Sequence, residues 1–183
     1  MIRMQISSAI LSIVVVCGLS YSTPILAQIN PSDDTLQLTA RYHIESGTNQ
    51  GFVIVKFQMP EGNYIYSLTQ PKPLRPSKLA IKANPKFQVG KKFQAEKKPK
   101  VVEKDPVFRS RVEKHSGTVQ FYVPIQVDGS VDPSSVVPEI VFNGQVCSNQ
   151  GFCKPYNNKV VRAKFAGYFQ REAKSPWPRS RKK

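Results

Sequence analysis

The stretch "TVQFYVPIQV" (118–127) alternates along nearly its whole length. Val119, Phe121, Val123, Ile125 and Val127 fall on one side, while Gln120, Tyr122 and Gln126 fall on the other. Period two marks a β-strand with one buried face, because successive side chains point to opposite sides of a sheet. The same pattern recurs on both sides of this stretch. In "TLQLTARYHI" (35–44), Leu36, Leu38, Ala40, Tyr42 and Ile44 share a face. In "FVIVKFQM" (52–59), Val53, Val55, Phe57 and Met59 do so, and a Pro-Glu-Gly-Asn turn (60–63) follows. "YIYSL" (64–68) reads as a short third strand, with further short strands around Leu79–Ile81 and Phe87–Val89. "EIVF" (139–142) and "KVVRAKF" (159–165) form a closing pair, with Val161, Ala163 and Phe165 inward.

The segments between these strands read as connections. "QPKPLRPSK" (70–78) carries three prolines, which cannot donate within a central ladder. Residues 91–104 are rich in lysine and read as exposed, and "DPVF" (105–108) reads as a loop. No long stretch beyond the first thirty residues has helical period. About eight or nine short strands with regular turn signals predict an all-β chain, an immunoglobulin-like antiparallel β-sandwich.

The first residues have the form of an export signal. Arg3 supplies charge, an apolar run is densest from Ile10 to Val16, and small residues follow, with cleavage expected near Ala27. The apolar run is short for a membrane span. Residues 1–27 are therefore read as a signal peptide that carries Cys17 away, and 28–170 as one sandwich domain. Residues 171–183 are read as a basic flexible tail. The expected location is periplasmic or secreted, where disulfides form and persist. The chain carries 27 Lys and Arg against 12 Asp and Glu, a formal charge of +15. An exported protein seldom meets nucleic acid, so the charge points to acidic proteins, or to weak contact of anionic envelope polymers with the tail.

Two cysteines remain, in "CSNQGFC" (147–153). His43 and His115 lack ligand spacing relative to them, and a zinc site needs at least three protein ligands, so neither a metal nor a cofactor is expected. No nucleophile elbow, phosphate loop or dinucleotide fingerprint is present. The pair is either a local staple or a working dithiol. Closing so small a ring stabilises by about 2–2.5 kcal/mol in the chain-entropy account, which allows the staple without demanding it. Lys154 supplies positive charge next to Cys153, which favours a thiolate, and Gly151 lets a partner backbone approach.

The segment "CSNQGFCKP" resembles the active-site segment of the N-terminal periplasmic domain of DsbD, the thiol:disulfide interchange protein. Cys147, Gly151, Phe152, Cys153 and Pro155 match its pattern, and "EGNYIYSL" (61–68) resembles the family's tyrosine stretch. The resemblance spans about residues 35–166 and is most specific at the cysteine loop. It implies an immunoglobulin-like domain, here standing alone, that passes reducing equivalents to exported proteins without a cofactor. It implies that Cys153 forms the mixed disulfide and Cys147 resolves it. Tyr64, Tyr66, Gly151, Phe152, Lys154 and Pro155 would shape the site, and Phe108, in "EKDPVFRS" (103–110), would cap it. A thioredoxin-like or membrane electron donor would act in trans on the pair, and exported disulfide proteins would accept its electrons. The sequence departs from the family just before Cys147 and at Pro106 and Val107, and the family does not account for the basic charge. The competing reading is a non-enzymatic immunoglobulin-like envelope binding module with a structural disulfide.

Overall fold

The computed structural model describes residues 36–90 and 92–170. The signal peptide, its cleavage point and the basic tail lie outside the described residues. Among those described there is no α-helix, so none that is long and apolar enough to cross a membrane.

The alternating segments form strands where their pattern predicts. β1 (Gln37–Glu45), β2 (Gln50–Gln58) and β9 (Thr118–Val127) lie side by side, with β2 in the centre and antiparallel to both neighbours. Two short strands, β5 (Phe87–Val89) and β6 (Gln94–Ala95), add to the far side of β9. The second layer is built on β10 (Glu139–Ser148). It pairs with β3 (Asn63–Tyr66) and β4 (Lys78–Ile81) on one edge and with β11 (Cys153–Phe169) on the other. β8 (Val112–Ser116) continues from β3, and β7 (Lys100–Val102) from β8.

β11 joins the two layers. Its first part pairs with β10 as far as Arg162, and its second part, from Ala163 to Phe169, runs beside β1. The β1–β11 pair is parallel, whereas the other strand pairs are antiparallel. A strand that leaves one sheet and enters the other is a common way to close a sandwich corner.

The inner faces of the two layers meet around Phe57. Its ring stands edge-on to Phe121 of its own sheet at 5.3 Å and to Phe142 of the opposite sheet at 5.0 Å. Tyr42, Ile44, Val53, Val55, Val123, Ile65 and Ile140 complete the buried interior. The Tyr42 hydroxyl lies 2.6 Å from the Pro133 carbonyl and 2.5 Å from that of Val136, so one proton serves two acceptors. It pins the β9–β10 connection to the core. Burial, then the nearby Asp132 carboxylate, pushes the Tyr42 hydroxyl up to about 12.

Truncating the ring at the centre should leave a cavity that neighbours on two sheets cannot close. Phe57→Ala is expected to lose about 3–5 kcal/mol, measured by denaturant unfolding. His115 on β8 is buried edge-on to Phe121 at 5.3 Å. Burial holds its pKa below 6.5, with Glu113 opposing more weakly. The unfolded chain therefore takes up the proton first, and folding stability should decline as pH falls through about 6.5. His115→Gln should flatten that part of the stability–pH profile.

Candidate functional site

β10 carries the main core on one face and a second, smaller cluster on the other. Val146 points into the interior, so Cys147, one residue on, points outward. On one side Cys147 is registered with Tyr64 of β3, on the other with Cys153 of β11. Cys147 and Cys153 are joined by a disulfide, with α-carbons 4.0 Å apart.

The turn between them explains this opposition. The Gly151 amide donates to the Ser148 carbonyl at 3.0 Å, and the Ser148 amide donates to the Phe152 carbonyl at 2.8 Å. The second bond makes Ser148 and Phe152 the last hydrogen-bonded pair. The cysteines become the adjacent non-bonded pair, the type in which opposed α-carbons come closest. Gly151 has φ +92°, the glycine position of a three-residue hairpin loop. An added Cβ would also stand 3.1 Å from Val107 Cγ1, so that side chain would have to give way.

Val107 belongs to the loop between β7 and β8, which folds over the hairpin. Buried Asp105 shapes that loop. Its Oδ1 accepts from the Val107 amide at 2.9 Å and from the Phe108 amide at 3.2 Å. Its carbonyl accepts from the Arg109 amide at 2.8 Å, with Arg109 in the left-handed region. Phe108 is thereby carried to the Tyr66 ring, edge-on at 6.3 Å, and Tyr66 meets Tyr64 at 5.7 Å. Tyr64, Tyr66, Val112 and Cys147 are buried together, with Leu74, Phe108 and Cys153 partly buried against them.

A second loop, between β3 and β4, delivers Leu74. Buried Gln70 ties this proline-rich segment down, donating to the Arg111 carbonyl at 2.9 Å and accepting from the Glu113 amide at 2.7 Å.

The structure thus brings Tyr64, Tyr66 and Phe108 together with both cysteines. Gly151 forms the turn, Phe152 stands out from its tip at 78% exposure, and Pro155 is exposed opposite Gln145. Lys154 is separated from the sulfurs by strand alternation. It shares the parity of Tyr156 and lies 5.9 Å from that ring. The cation on the cysteine face is instead Lys114, 4.6 Å over the Tyr64 ring. Lys114, Asp105 and Leu74 were not singled out from the sequence, and Gln145 and Val107 entered there only in departures from the family pattern. Counting back by two from Cys147 would have found Gln145, whereas the others depend on pairings between distant strands and loops.

Both tyrosine hydroxyls are held in their protonated form. Burial is the main cause at Tyr64, reinforced by Tyr66 and the Asp105 charge. At Tyr66 burial again dominates, although neighbouring Tyr64 and Gln145 pull the other way. The Tyr66 hydroxyl is buried without a partner of good hydrogen-bond geometry. Among the described residues, no three His, Cys, Asp or Glu side chains gather as a metal would require.

Solved structures show likenesses to the chain at low identity. The N-terminal periplasmic domain of ScsB from Proteus mirabilis matches with a TM-score of 0.49 and 16% identity. The match covers 72% of this chain and 47% of that one, so the chain spans about half its length. The reduced DsbD N-terminal domain from Neisseria meningitidis matches with a TM-score of 0.40 and 15% identity, over 74% of this chain and 96% of that one. The resemblance is to a DsbD-like N-terminal domain. BcpA, the major pilin subunit of Bacillus cereus, is a more distant likeness, with a TM-score of 0.35 and 9% identity over 70% and 39% of the two chains. No protein-family model matches the chain, and no curated protein does. At these identities the likenesses concern the fold and transfer no residue role.

Gly151→Ala would strain the turn and press on Val107. It is expected to lose about 1–2 kcal/mol in denaturant unfolding and to raise protease sensitivity between residues 103 and 110.

Proposed function

We propose that this chain is an exported thiol–disulfide exchange domain whose working group is the Cys147–Cys153 pair. The observation that carries the reading is the unequal setting of the two sulfurs under a removable cover. Cys147 is buried at 1% exposure, whereas Cys153 is only partly buried, beside an outward-standing Phe152. A pair that merely pinned a hairpin would gain nothing from this asymmetry. A pair that meets a partner needs one accessible sulfur and one held back.

The chemistry follows from that division. In the reduced pair, the Cys153 thiolate attacks one sulfur of a partner's disulfide. A mixed disulfide forms and the partner's other sulfur leaves as a thiolate. The Cys147 thiolate then attacks Cys153 Sγ and expels the partner's remaining sulfur. The pair ends oxidised and the partner reduced by two electrons, its two thiolates taking protons from water. An electron donor in trans, thioredoxin-like or membrane-bound, restores the dithiol by the reverse exchange.

Phe108, Tyr64 and Tyr66 shield the sulfurs between encounters. The loop that carries Phe108 is held by its own Asp105 turn, by the Phe108–Tyr66 edge and, at its end, by Gln70 and the ion pairs of Arg111, none of them in the main core, so lifting its tip leaves that core intact. An electron pair moving between sulfurs needs no cofactor. The expected setting is the periplasm or the cell exterior, after removal of the signal peptide.

Cys147→Ser leaves the attacking thiol without its resolving partner. It is expected to accumulate intermolecular disulfides through Cys153 in exported extracts, visible as reducible bands on non-reducing gels. Cys153→Ser should accumulate none. The reduction potential of the native pair should lie above about −300 mV, as it does for labile rather than structural disulfides. No trapped species, together with a potential well below that value, would sink the exchange reading in favour of a pinned binding module.

A further inference from the structure

The cover over the cysteines has a charge pattern that its folding does not require. The loop between β3 and β4 carries Lys72 and Arg75 on either side of Leu74, and the loop between β7 and β8 carries Lys104 and Arg109 around Phe108. All four of these cations are exposed. Lys114 lies over Tyr64 on the same face.

The nearby carboxylates, on these loops and on β8, are paired with Arg111 or buried, although Glu103 is itself 73% exposed. Glu103 is bound to Arg111 at 2.9 Å, and Glu113 to the same guanidinium at 3.1 Å. Asp105 is buried against its own loop amides. Glu61, exposed at the turn before β3, is the acid on the opposite flank. Inside this rim the surface is apolar, with Phe152 78% and Val107 51% exposed.

We propose that this face docks partners whose disulfide is set in an acidic protein surface. An apolar centre ringed by charge is the usual anatomy of a protein interface. Phe152 is the side chain placed to enter a recess on the partner, and the cations select the sign of the surface around it. Such a field acts mainly on encounter, raising the association rate of an oppositely charged partner and slowing that of a like-charged one. The inference rests on the exchange reading above and adds to it a class of partner. It also gives a local use to part of the chain's excess of positive charge.

The test compares two cyclic peptides, each closed by one disulfide, one flanked by glutamates and the other by lysines. Neutral hydroxyethyl disulfide serves as a reference. The protein is reduced, and exchange rates are followed at low and high salt. The acidic peptide is expected to react about tenfold faster than the basic one at low salt, with the ratio shrinking as screening rises. Lys72→Glu, Arg75→Glu and Lys104→Glu combined should remove or invert that ratio while leaving the reference rate unchanged. Equal rates for both peptides, or a ratio unaltered in the triple variant, would overturn the docking inference alone. Failure of all three disulfides to react would remove the exchange reading and this inference with it.

Discussion

The register of β10 between its two neighbours is the constraint on which the site depends. Cys147 must stand opposite Cys153 on one side and opposite Tyr64 on the other. Because side chains alternate, a slip of one residue would send Cys147 into the core and bring Val146 out. Two features hold the register. The hairpin loop fixes it at the tip through the Ser148 and Gly151 bonds. Further down, β10 and β11 shift register between Phe142 and Gly144, where the Asn143 side chain accepts from the Asn158 amide at 2.8 Å. A Cβ on Gly144 would meet the Phe142 ring at 2.8 Å, so glycine at this irregularity leaves room for the ring that packs on Phe57. Core packing and cysteine placement are therefore two results of one strand alignment.

A sheet with both faces covered separates the main core from the cysteine cluster. The interior side of β10 and β3 belongs to the main core through Val146 and Ile65, while Cys147, Tyr64 and Tyr66 form the smaller cluster behind it. The cover of that smaller cluster comes from loops, which contribute Leu74 and Phe108. Loops held by a few local bonds open at lower free energy than strands buried on both faces. In the exchange reading, opening them would expose the disulfide while Phe57, Phe121 and Phe142 stay packed.

Much of this could be read in the sequence, and the misses have physical causes. Strands with one clean apolar face, such as residues 118–127 and 52–59, were legible because burial writes itself as period two. β7 and β8 were not. In "VEKHS" (112–116), alternation places Lys114 and Ser116 on one side and Glu113 and His115 on the other, with no apolar face to mark. β11 was read only to Phe165, whereas it continues to Phe169 beside β1, across a join that depends on a parallel pairing with the start of the domain. Tyr64, Tyr66 and Phe108 gather at the cysteines in one cluster. Lys154 shows the limit of adjacency: being next to Cys153 in the chain puts it on the opposite side of the strand. Lys114, about forty residues away in sequence, takes the place above Tyr64 through the β3–β8 pairing.

This exchange of one lysine for another changes the electrostatic argument as well as the residue. A cation adjacent in sequence would act on a single thiol. A cation on β8, over the Tyr64 ring, instead belongs to the face that the docking inference assigns to partners. The apolar packing around Cys147 withholds one sulfur from solvent. In the docking inference proposed above, the exposed charge around the cover would act on a different step, the approach of a partner.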